Sequence, residues 1–207
     1  MIRVKVCGIT NKKDAMFCID HGADALGFVF YEKSPRYVSP DKAREIINSL
    51  PPFITNVGLF VNDTNETVKE ICTTTKIDVL QFHGDEESDY VNLFKRKTIK
   101  AFRIKESIDK INFTDYNVDA YLLDSHSDAV YGGSGKNFSW ELIKGHKFDK
   151  PVILAGGLNP ENVVDAVNIV KPYAVDVSSG VEKAKGIKDH DKVKNFIIRA
   201  KHGRLEK

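Results

Sequence analysis

Eight short apolar runs, amphipathic segments between them and two glycine- and serine-bearing turns closing the last two runs predict an α/β fold, a single-domain (β/α)8 barrel. The runs are Arg3–Cys7, Ala25–Phe30, Thr55–Val61, Val79–Phe82, Ile99–Arg103, Ala120–Asp124, Val152–Ala155 and Ala174–Val177. They are apolar on both faces, as strands of a parallel sheet covered by helices must be. At roughly 26 residues per unit, the spacing is close to the minimum for this fold. An open doubly wound sheet would carry a glycine-rich nucleotide turn after its first strand. The CGIT found there does not match one.

Helix signals fill the intervals in order. Asn11 or Asp14 can start the first helix, which carries Ala15, Phe17, Cys18 and Ile19. Ser39-Pro40 starts the second, with proline near the first helical position. A third is expected from Thr64 to Thr74, a fourth from Glu86 to Lys95 and a weaker fifth from Ser107 to Phe113. A sixth should begin near Ser139, a seventh at Asn159-Pro160-Glu161, and a last should run from Asp189 to Lys201. The polar tail after about residue 202 is expected to fray.

A chain of 207 residues fits one domain with a substantial core. Hydrophobic residues at 42% and charged residues at 29% suit a soluble globular protein. A net charge of +2 gives no reason to expect nucleic acid or an acidic membrane as partner. Basic clusters such as Lys95-Arg96-Lys97 lack interleaved aromatics and read as solvated helix faces. No apolar run approaches the roughly 20 residues that a membrane helix needs. MIRVKVCGIT reads as a strand rather than a signal peptide, so a cytoplasmic protein is expected, and its small size suggests a monomer. Three cysteines without CxxC and six histidines without HxxxH or HExxH give no metal site and no disulfide framework.

In such a barrel, functional side chains sit where strands end. The turns PVILAGGLNPENV and YAVDVSSGVE close runs seven and eight. Gly156, Gly157, Ser178, Ser179 and Gly180 leave the backbone open, so their amides can close on an anion. Two such turns on successive strands make a phosphate cup, implying a small phosphorylated metabolite. Cys7 ends the first strand; it is either a small packing residue or a nucleophilic base whose thiolate helix N-termini would favour. Asp124 ends the sixth strand as a cap, an ion-pair partner, or a general acid or base with a pKa raised by burial. Asp176 is one residue from the end of strand eight, where alternation can point it at the same mouth. Arg36 can fork onto a carboxylate or phosphate or form a surface ion pair. His83 can polarise substrate or be structural. Cys18 and Cys72 read as packing residues. YGGSGKNFSW lacks P-loop spacing and reads as a mobile glycine loop at the mouth.

The segments VKVCGIT, DALGFVFYEKSPRYVSP, VGLFVN, VLQFHGDE, LLDS, YGGSGKNFSW, AGGLNPENV and AVDVSSGVE with KGIKDHDKV occur in order over most of the chain. Together they resemble the phosphoribosylanthranilate isomerase family of tryptophan biosynthesis. The resemblance implies a TIM barrel, no cofactor, and an Amadori rearrangement of a phosphoribosyl substrate. It implies that Cys7 is the general base, Asp124 the general acid and Arg36 the holder of the anthranilate carboxylate. AGG stands where some members carry SGG, a minor departure because glycine amides would bind the phosphate. Three other readings remain. A related aldose-ketose isomerase of histidine biosynthesis would carry aspartate where Cys7 stands. A phosphoribulose epimerase would show metal-ligand histidines at strand ends. A non-catalytic phosphometabolite-binding barrel would need neither Cys7 nor Asp124.

Overall fold

Eight parallel strands close on themselves in sequence order: β1 (Arg3–Cys7), β2 (Ala25–Val29), β3 (Thr55–Phe60), β4 (Val79–Phe82), β5 (Lys97–Arg103), β6 (Ala120–Asp124), β7 (Val152–Ala155) and β8 (Ala174–Val177). Closure comes from β8 pairing back onto β1, with Val4 opposite Val175 and Lys5 opposite Asp176. This is a computed structural model, which describes residues 1–104, 107–109, 111–124 and 140–203.

Side-chain alternation sorts each strand into two populations. One set faces the helices, with Val4, Val6, Leu26, Phe28, Phe60, Phe82, Leu123 and Val175 in the main core. The other fills the barrel lumen, where Val57, Ile99, Ala101, Ala120, Leu122, Ile153, Ala155 and Ala174 form a separate apolar plug. The same parity that carries the plug upward brings Cys7, His83, Asp124 and Asp176 to its carboxyl-terminal rim. The plug therefore serves as the floor of the site.

The helices follow their caps. α1 (Lys12–Asp20) starts at Asn11, whose side chain accepts the Asp14 N–H. α2 (Pro40–Asn48) is capped by Ser39, with proline at its start. α3 (Asn65–Thr75) is capped by Thr64. α4 is a single turn, Ser88–Val91. α5 (Val163–Val170) begins later than Asn159-Pro160-Glu161, because Asn159 takes the Glu161 and Asn162 N–H groups in a preceding turn. α6 (His190–His202) is capped by Asp189.

Two expected helices shrink. The one expected over Glu86–Lys95 is reduced to α4 because Glu86 is drawn out of it. Its Oε1 takes the Asn62 and Gly84 N–H groups, and its Oε2 takes the Lys100 ammonium at 2.7 Å. The one expected over Ser107–Phe113 is replaced by a 3-10 turn at Phe113–Asp115. There Ser107 caps Asp109 and Asn112 bonds Asp115, local bonds that compete with a helical ladder. The expected start of the sixth helix and nearly all of the glycine loop fall in 125–139, outside the described residues, as does the tail from 204. A 3-10 turn at Trp140–Leu142 follows. After β8 the chain adds a small hairpin, β9 (Glu182–Ala184) with β10 (Ile187–Lys188), that sequence reading did not anticipate.

Candidate active site

The carboxyl-terminal ends of the strands surround a cavity of about 480 Å³, in the range of a small-metabolite site. Cys7, Arg36, His83, Asp124, Gly156, Gly157, Asp176, Ser178 and Ser179 all line it. Residues picked from separate parts of the chain thus come to one mouth. Gly180 does not line it. Its Cα lies so close to the Leu158 carbonyl that an added Cβ would overlap that oxygen. Its glycine is needed for the β7 and β8 turns to pack together. Gly156 and Gly157 both take positive φ, 86° and 65°, as the chain leaves β7.

Cys7 is paired in register with Gly27 of β2. A Cβ on Gly27 would lie 2.6 Å from the Cys7 sulfur and 3.0 Å from its Cα. The thiol therefore occupies the space that a side chain on β2 would take. The expectation that helix N-termini favour the thiolate is overturned. Burial pushes the thiol pKa up, and the nearby Lys5 and Lys188 ammoniums offset this only in part. Lys5, two residues earlier on the same face, bonds Asp176 Oδ2 at 2.9 Å. Asp176 Oδ1 and Ser178 Oγ are buried without a hydrogen-bond partner among the described residues. Such atoms are costly unless something binds them. Gly27→Ala is expected to displace the sulfur and lower kcat by about 10²-fold, the effect of misplacing a reacting group by about 1 Å. Steady-state kinetics with circular dichroism as the folding control would check this; unchanged kcat would mean that Cys7 is not a reacting group.

Across the barrel, His83 Nε2 and Asp124 Oδ2 share a hydrogen bond of 3.2 Å. Gln81, fully buried on the same face of β4, meets His83 Nδ1 at 2.9 Å. His83 is thereby held between an amide and the carboxyl group, so one hydrogen bond fixes the ring while the other orients Asp124.

Arg36 reaches the rim from the loop after β2. Gly8 has φ 78°, and a Cβ on it would lie 2.7 Å from Arg36 Cδ and 3.1 Å from Ser178 Oγ. Glycine there lets the arginine stem cross the end of β1. Arg36 Nε–H and Nη2–H donate to the two oxygens of Glu182, both at 2.8 Å.

Sequence reading missed Lys5, Gly27, Gln81, Glu182 and Lys188. Lys5, Gln81 and Gly27 carried a signal in strand parity, since each sits two residues from, or in register with, a residue already singled out. Glu182 and Lys188 lie in matched motif segments but gave no chemical cue alone. Among the described residues, no group of three or more His, Cys, Asp or Glu side chains could hold a metal ion. No helix among them is long and apolar enough to cross a membrane.

Residues 4–199 match the family model described as N-(5'-phosphoribosyl)anthranilate (PRA) isomerase. The N-(5'-phosphoribosyl)anthranilate isomerase of Geobacter sulfurreducens is 51% identical over 203 residues, covering 97% of this chain and 99% of the relative. The crystal structure of phosphoribosyl anthranilate isomerase from Thermotoga maritima superposes with a TM-score of 0.86 at 44% identity, covering 97% and 99% of the two chains. A second solved isomerase, in complex with reduced 1-(o-carboxyphenylamino)-1-deoxyribulose 5-phosphate, gives a TM-score of 0.81 at 40% identity, with the same coverage. The chain belongs to the N-(5'-phosphoribosyl)anthranilate isomerase family.

Proposed function

We propose that this one-domain chain catalyses the family's Amadori rearrangement. N-(5-phosphoribosyl)anthranilate is converted to 1-(2-carboxyphenylamino)-1-deoxyribulose 5-phosphate, a step of tryptophan biosynthesis. One observation carries the assignment of roles. A single cavity holds Cys7 from β1 and Asp124 from β6, three strands apart around the barrel, with glycine–serine turns and Arg36 on its rim. An acid and a base on separate walls suffice, because the substrate's own amine is the electron sink.

Asp124 gives a proton to the ribose ring oxygen as the C1′–O bond breaks. The anthranilate nitrogen lone pair forms the C1′=N iminium. The Cys7 thiolate then removes the C2′ proton, and the C–H electrons form the C1′=C2′ enolamine while nitrogen recovers its lone pair. Return of the proton from Cys7 to C1′, with loss of the C2′ hydroxyl proton to Asp124, leaves the ketone at C2′ and restores both groups. No external oxidant or electron carrier enters this balance.

The turns at Gly156-Gly157 and Ser178-Ser179 take the phosphate, and the unpartnered Ser178 hydroxyl is one donor in position for it. Asp176, with its free Oδ1, accepts from a sugar hydroxyl. Arg36 holds the carboxylate at the other end, so the reacting carbons are fixed between two anchors. All these groups come from one barrel, so a single copy suffices for turnover; sedimentation at assay concentration would test that. Dependence on a free thiol among three unpaired cysteines fits the reducing cytoplasm. The direct test is to add freshly made phosphoribosylanthranilate to the purified protein and follow loss of anthranilate fluorescence. A rate no greater than the buffer blank would reject the assignment.

A further inference from the structure

Behind Arg36, the hairpin after β8 supplies a buried row of charge. Glu182 takes both near N–H groups of the guanidinium. On its other side, Lys188 Nζ donates to Glu182 Oε1 at 3.1 Å, to the Cys7 carbonyl at 2.6 Å and to the Ser178 carbonyl at 3.3 Å. The Lys188 side chain is 0% exposed. A fully buried ammonium is expensive and needs such a set of acceptors.

The charge count explains the arrangement. A guanidinium has five N–H donors, and Glu182 uses two, so three remain for a ligand. Yet Arg36 with Glu182 alone is a neutral pair, a poor attractor for an anion. The third group, Lys188, returns the row to a net charge of +1. The nearest carboxylates have partners of their own. Asp176 is paired with Lys5 at 2.9 Å. Asp14 takes the main-chain N–H of Lys188 and is bonded to His190 and Asn11.

We propose that Lys188 is a positioning residue for carboxylate recognition: its buried ammonium, acting through Glu182, keeps the Arg36 site net positive while Glu182 fixes the arginine's orientation. This rests on the reading of Arg36 as the carboxylate anchor. Lys188 touches no substrate. It also ties the ends of β1 and β8, so one side chain links the anchor, the base strand and the phosphate turn.

The test uses the full chain and two simple probes, anthranilate as a carboxylate inhibitor and inorganic phosphate as an inhibitor at the turns. Lys188→Met is expected to raise the anthranilate inhibition constant about tenfold, from loss of one charge near the anchor; because Lys188 also bonds the Ser178 carbonyl, the phosphate constant is read alongside it as the measure of disturbance at the turn. Adding Glu182→Gln to Lys188→Met restores the net charge to +1 and should recover most of the anthranilate affinity. A merely structural brace predicts a double variant at least as weak as Lys188→Met, and that result would overturn the proposal. Should Lys188→Met not fold, Lys188→Gln decides: it keeps N–H donors for Glu182 and the two carbonyls but not the charge, so the anthranilate constant should rise as for Lys188→Met. An unchanged constant overturns the proposal. Arg36→Ala separates it from the reading beneath. A rise of about 10- to 100-fold in KM and in the anthranilate constant supports the anchor. No rise rejects the anchor itself, whereas a rise without any Lys188→Met effect rejects only the role of Lys188.

Discussion

Cys7→Ser is expected to lower kcat by about 10²- to 10⁴-fold, the contribution of a well-placed general base. The substitution changes volume little, and Gly27 leaves room for either atom, so melting temperature should move far less than rate. Burial holds the thiol above its ordinary pKa, which makes the neutral form the resting state of the empty site. The base is the thiolate. Activity in kcat/KM should therefore climb as pH rises through neutrality, toward a midpoint above the usual thiol value. In the serine variant that acid-side limb should disappear, because an alcohol does not ionise in this range. Rate against pH for both proteins measures this. A serine variant with near-normal kcat, or one that keeps the same limb, would remove Cys7 from the base role.

The barrel was legible because strand burial on both faces leaves a mark that local chemistry cannot hide. The runs ending at Cys7, Asp124, Ala155 and Val177 match the observed strands, and Asp176, pointed to the mouth by alternation, lines the same cavity as the strand-end residues Cys7 and Asp124. Helices after β4 and β5 were less legible. Glu86 has good helical propensity, yet its buried bonds to Lys100, Asn62 and Gly84 hold it elsewhere. Tertiary contacts override propensity there. The site divides along the same line. Residues at strand ends are found by counting, whereas Glu182 and Lys188 meet Arg36 and Cys7 only through contacts 146 and 181 residues apart in sequence. Nothing local to KAKGIKD announces that its last lysine returns a buried charge to the first strand. Gly180 shows how one glycine can answer to more than one demand: its place in the turn suggests an amide for the phosphate, and the Leu158 carbonyl beside it is a packing reason for the same residue.

Asp124→Asn is expected to bind substrate almost normally and turn it over very slowly, with kcat down by about 10²- to 10⁴-fold as for the loss of a positioned acid. The carboxamide keeps the size of the side chain and can still bond His83, so the 3.2 Å contact does not have to be given up. It has no proton that it can release to the ribose oxygen. If ring opening needs that proton, the loss should appear in kcat with KM little changed, and steady-state kinetics measures both. His83 is the rival donor, since it shares the hydrogen bond and lines the same cavity. His83→Gln distinguishes them: it should weaken catalysis by loosening Asp124, but far less than Asp124→Asn does. An Asp124→Asn variant that retains most of its activity, together with a His83→Gln variant that loses it, would transfer the acid role to the histidine.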